Sequence, residues 1–109
     1  MLSWRDAQSQ VLAQLRAVRA RIDERDESGT LALINQQDAF CDAALERRAE
    51  VPARGSETRC HFCEGYLQSG GCMSRLDAID RAVLHAEWEE AARLVDEYQE
   101  WVKGLAIPA

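Results

Sequence analysis

The sequence predicts an all-α fold: two helical hairpins forming a small four-helix bundle, joined by a Cys/Gly-rich metal-binding loop. Three observations predict it. Apolar residues recur at helical spacing through four stretches of the chain. No stretch shows the apolar–polar alternation of a half-buried strand. Three of the four cysteines fall within thirteen residues, "CHFCEGYLQSGGC" at 60–72, between the second and third helical stretches.

The first helix is expected over about residues 3–27, with Ser3 as its N-cap. Trp4, Val11, Leu15, Val18 and Ile22 occupy heptad a and d positions, and Gln8 is the one polar interruption. The stretch "DESGT" at 26–30 is expected to stop this helix and start the next. Gly29 would take the left-handed position after the first helix, and Thr30 would cap the second. That second helix is expected as one element over 30–49, with Leu33, Ile34, Phe40, Cys41, Ala44 and Leu45 on its apolar side. Pro52 lies just beyond its end.

Residues 51–73 carry no helical or strand pattern. Structureless stretches longer than about 12–15 residues are uncommon in compact domains unless something organises them. Ser74 is expected to cap a third helix over 74–86, facing Leu76, Ile79 and Val83 inward. The fourth, over 87–104, aligns Trp88, Ala91, Val95, Tyr98, Val102 and Leu105 and stops at Gly104. At 109 residues the chain suits a single helical domain over 1–109, since two separate cores would each be marginal. Leu33, Ile34, Phe40 and Cys41 share the spacing of Leu94, Val95, Trp101 and Val102. Amphipathic helices produce such matches by chance, so no repeat follows from them.

The net charge is −6, and the stretch from Arg75 to Lys103 holds eight acids against four bases. Affinity for nucleic acid comes largely from cation–phosphate contacts, so DNA or RNA is not expected as a partner. The longest aliphatic run is "LALI" at 31–34, too short to span a membrane. The N-terminus lacks the basic start and apolar core of a signal peptide. A cytoplasmic location is therefore expected, where thiols stay reduced and clustered cysteines point to metal or chemistry rather than to a staple.

Cys60-x2-Cys63 is the spacing at which two thiolates on one turn meet a single ion, and Cys72 brings a third from a loop rich in glycine. Zinc suits this set, because Zn²⁺ accepts a tetrahedron of Cys and His without demanding a particular backbone. For the fourth ligand, His85 lies thirteen residues beyond Cys72. Along a continuous helix that is about 20 Å, too far for one ion. His61 sits between the two knuckle cysteines, where its ring would point away from an ion both neighbours hold. Cys41 is the better choice, on the inward side of the second helix, although that position equally suits a small core residue. The expected ligands are Cys41, Cys60, Cys63 and Cys72, with His61 in reserve. Arg59 and Arg75 flank the cluster as candidate donors to the sulfurs.

Other chemistries lack their parts. Glu64 follows Cys63 where covalent haem attachment needs His, and neither His61 nor His85 has a Glu three residues before it, as a di-iron bundle needs. There is no strand to precede a thioredoxin-like CxxC and no Gly-rich phosphate loop. These features point away from an enzyme. The expected function is a small intracellular zinc-binding helical protein acting as a protein–protein interaction, accessory or regulatory module. The alternatives are an iron–sulfur protein for electron transfer or redox sensing, and a CxxC thiol switch at Cys60 and Cys63. The expected partner is another protein, and the stripes on the first and fourth helices also suit a homodimer.

Overall fold

The structure, a computed structural model, describes residues 1–36, 38–49 and 73–107. The expected loop over 51–73 therefore lies almost wholly outside the described residues, as does Pro52. Among the described residues there is no strand, and five helices follow in order: α1 Trp4–Asp23, α2 Glu27–Ile34, α3 Ala39–Ala49, α4 Met73–Leu84 and α5 Trp88–Gly104. No helix is long and apolar enough to cross a membrane.

Helix α1 starts where Ser3 accepts a hydrogen bond from the Asp6 N–H at 3.0 Å. It buries Trp4, Ala7, Val11, Leu15, Val18 and Ile22, a stripe built of three- and four-residue steps. Ala7 takes the inward place that heptad counting gave to Gln8. Gln8 instead donates from Nε2 to the Val102 carbonyl at 2.9 Å, supplying a partner in the last turn of α5. Gln14 does the same for α2, donating to the Leu33 carbonyl at 2.9 Å.

Helix α1 stops earlier than the sequence suggested. Arg25, not Gly29, takes the left-handed conformation, with φ 52°. The Arg25 N–H donates to Ile22 O at 2.9 Å and the Asp26 N–H to Arg21 O at 3.0 Å, the paired bonds of a Schellman motif. Asp26 rather than Thr30 caps α2, accepting from the Gly29 N–H at 2.9 Å. An ionised carboxylate at a helix N-terminus outcompetes a hydroxyl. Thr30 then falls inside α2, fully buried, and its hydroxyl donates to Asp26 O at 2.6 Å.

The expected single helix over 30–49 is two helices, parted between Ile34 and Ala39. Asn35 donates to the Leu31 carbonyl at 2.7 Å and closes α2. Asp38, itself buried, accepts from the Cys41 N–H at 2.8 Å and opens α3. The break resets the helical phase. Ile34, Phe40 and Ala44 are buried as expected, Ala39 and Ala43 join them, and Leu33, Cys41 and Leu45 are only half-buried. Phe40 packs against Trp4 with ring centroids 6.2 Å apart, and the Arg47 guanidinium carbon lies over the Trp4 ring, 4.4 Å from its centroid. The Leu2 N–H donates to Glu46 at 2.6 Å, and the Leu2 carbonyl accepts from Arg47 at 3.1 Å.

The second hairpin repeats the first turn. Ala86, 61 residues after Arg25, has φ 54°. Its N–H donates to Val83 O at 3.0 Å, and the Glu87 N–H donates to Ala82 O at 2.8 Å. At the same offset, buried Val18, Ile22, Thr30 and Ile34 correspond to buried Ile79, Val83, Ala91 and Val95. Helix α1 packs on α2, α3 and α5, while α4 packs on α5 and α2. The ring α1–α2–α4–α5 thus closes a four-helix bundle, in which α1 meets α5 more extensively than α2 meets α4. Tyr98, Val95 and Val102 from α5 and Ile79 and Val83 from α4 fill its centre.

The cap at Asp26 generates a prediction. A Cβ on Gly29 would collide with the Asp26 carboxylate. Gly29→Ala alone should therefore bring none of the usual helix-interior gain of about 0.5–1 kcal/mol. In an Asp26→Ala background, where no carboxylate stands in the way, the gain should appear. Urea denaturation of the four proteins measures this, and simple additivity would contradict the cap geometry.

Candidate functional site

Cys41 is the one expected ligand among the described residues. Cys60, Cys63, Cys72, the reserve ligand His61 and the flanking Arg59 all lie outside them. Cys41 stands in the first turn of α3, half-buried, rather than in mid-helix. The physical reason is Asp38, whose side chain takes the Cys41 N–H and whose carbonyl takes the Asp42 N–H at 3.1 Å. Cys41 thereby sits at the end of a helix where negative charge is favoured.

Arg75 is in the first turns of α4, and its guanidinium carbon lies 4.0 Å from the centroid of the Trp101 ring. Trp101 in turn meets Tyr98 edge-on at 5.7 Å. A cation–π contact of this kind directs Arg75 along α5.

Several contacts gather these residues at one end of the bundle. Phe40, the neighbour of Cys41, packs on Trp4 at the start of α1. Gln8, one turn further along α1, holds the carbonyl of Val102. Trp101, the neighbour of Val102, carries Arg75. The start of α3, the start of α4 and the end of α5 therefore share an end with the start of α1. Helix α4 begins at Met73, the residue that follows Cys72 in the chain. Among the described residues no three His, Cys, Asp or Glu side chains come together as a metal-holding group.

The opposite end carries the two left-handed turns. An open groove of about 820 Å³ runs between Arg25 and the first turns of α5, from Ala86 to Arg93. A second, of about 630 Å³, continues beside α1 past Arg19, Ala92, Asp96 and Glu100. Arg19 joins α1 to α5 by donating to Asp96 at 3.0 Å, and it also pairs with Asp23. Desolvation works against the Arg19 charge, but the hydrogen bonds and charges of Asp96 and Asp23 outweigh it and hold the guanidinium protonated. Arg93 pairs within α5 with Glu90 and Glu97. The hydrogen bond from Arg93 lowers the Glu90 carboxyl from its ordinary value, against an opposing desolvation and with a lesser contribution from the Arg93 charge. His85 is exposed in the turn between α4 and α5, with its N–H on Arg81 O at 3.1 Å.

No family model, no curated protein and no solved structure matches this chain. Its site must be read from its own residues. Sequence reasoning missed Asp38 and the two α1 glutamines, although "DAFC" does carry the signal of an acidic N-cap before an apolar pair. Nothing local marks Gln8 or Gln14, because their partners lie 94 and 19 residues away.

The Glu90 shift has a pH consequence. A carboxyl whose pKa is lowered by folding adds stability above its ordinary pKa and loses it as pH falls through the folded value. The pair is solvent-exposed, so the effect on unfolding is small. Site-resolved NMR titration should place the Glu90 midpoint below that of an ordinary glutamate, and Arg93→Ala should return it upward. A midpoint that Arg93→Ala leaves unmoved would refute the pairing.

Proposed function

We propose that this chain is a zinc-stabilised helical module that works by contact with another protein, as an accessory or regulatory subunit. The observation that carries the proposal is the Cys60-x2-Cys63-x8-Cys72 motif in the stretch joining α3 to α4, with Cys41 at the end of the bundle where α4 begins. Cys41, Cys60, Cys63 and Cys72 would hold the ion, and His61 is the reserve for the Cys41 position. Zinc supplies cross-linking here rather than catalysis, and its binding energy would add to folding. A site of four thiolates around Zn²⁺ carries net negative charge, so a cation beside it is favourable. Arg59 adjoins Cys60 in the chain and suits that role. Arg75 is engaged with Trp101 and would reach the sulfurs only from that ring. The grooves beside α5 are open and lined mostly by charged side chains of both signs, which suits an extended protein surface better than a small molecule.

The test is elemental analysis of protein purified without air. About one zinc per chain is expected. Cys63→Ser should abolish that zinc and make the 51–73 stretch more sensitive to protease. Cys41→Ser should weaken zinc binding at least about tenfold, and full affinity in that variant would move the fourth position to His61. Iron with matching acid-labile sulfide would overturn zinc in favour of an iron–sulfur cluster. A metal-free protein with a Cys60–Cys63 disulfide would overturn it in favour of a thiol switch.

A further inference from the structure

The break between α2 and α3 has only two local marks, Asn35 and Asp38, the residues that cap its two sides. No glycine or proline lies between Thr30 and Ala49, and the apolar spacing there suits one helix. At the matching positions of the second hairpin, α5 runs without interruption from Trp88 to Gly104. Intrinsic propensity thus offers α2 and α3 a continuous helix, and tertiary contact overrides it. Those contacts are concentrated on one partner. Among the described residues α3 packs chiefly on α1, burying Phe40, Ala43 and Ala44, setting Phe40 against Trp4, and clamping Leu2 with Glu46 and Arg47.

We propose that a second copy of this chain offers the same surface, and that α2 and α3 join into one helix while each copy's α3 packs on the other copy's α1. The product is a two-fold, domain-swapped dimer. Every α1–α3 contact is kept, now between copies. What changes is the joint: the Asn35 and Asp38 caps give way to backbone bonds of a continuous helix. Residues 27–49 as one helix extend about 35 Å, which carries α3 past its own bundle. The 23 residues from 50 to 72 can reach up to about 75 Å, so α4 and α5 remain with their own copy. The proposal does not depend on the metal.

The experiment uses the full chain and two variants of exposed residues at the joint. Asn35→Ala/Gln36→Ala favours the continuous helix and Gln36→Gly disfavours it. Light scattering after size-exclusion chromatography, over micromolar to millimolar protein, gives the association constant of each. The double alanine variant should dimerise about tenfold more tightly than the parent, and the glycine variant less tightly. In dimers refolded from mixed ¹⁴N and ¹⁵N copies, chemical cross-links between α1 and α3 should join light to heavy chains. Monomers at every concentration in all three proteins would overturn the proposal, and so would dimers whose α1–α3 cross-links stay within one copy.

Discussion

Burial of the apolar stripe of α1 is the constraint on which the rest of this structure depends. Six side chains from Trp4 to Ile22 are removed from solvent. Fully burying a large aliphatic or aromatic side chain is worth about 1.5–3 kcal/mol, which makes the stripe a large share of the driving force. Helices α2, α3 and α5 all pack on α1, so it is the wall they have in common. The same helix supplies polar fastening. Gln8 and Gln14 each add a side-chain donor to a carbonyl in the C-terminal turn of α5 and α2, Val102 O and Leu33 O, beside the backbone N–H that each already accepts. Apolar burial sets how near the helices lie, and these two bonds set how far along α1 each one stops.

Much of this was legible in the sequence, for a physical reason. Helical periodicity is a local signal, and α1, α4 and α5 carry it strongly enough to reveal both the helices and their inward faces. Competition is what local patterning misses. Gly29 and Thr30 are good turn and cap residues, yet Asp26 captures the cap and Arg25 accepts the left-handed turn, because the Schellman bonds to Arg21 and Ile22 hold it there. The break before Ala39 carried one local sign, Asp38 ahead of an apolar pair, while the surface that α3 packs on belongs to α1, a separate stretch of the chain. The likeness of the two hairpins was visible only as a matching of four residues, since buried Thr30 opposite Ala91 and Arg25 opposite Ala86 share a position and not a chemistry.

The candidate site was legible as a motif but not as a geometry. Spacing nominates Cys60, Cys63 and Cys72, and a place on the inward side of the second helical stretch nominates Cys41. The role of Asp38 in setting Cys41 at the start of a helix needed the fold. So did the contact of Arg75 with the Trp101 ring. The two ends of the bundle emerge as different in kind. One carries the left-handed turns and exchanges charge through Arg19, Arg93 and their carboxylates. The other gathers Trp4, Phe40, Trp101 and Cys41 around the start of α4.

We propose that stability is divided between an α1-centred core and a zinc fastening at the Cys41 end. Amide hydrogen exchange of the protein, compared with and without one equivalent of zinc, tests that division most directly. Zinc should slow exchange in α3 around Cys41 and in the first turns of α4, and leave the middle of α1 at its already low rate. Equal exchange with and without zinc at the Cys41 end would contradict it.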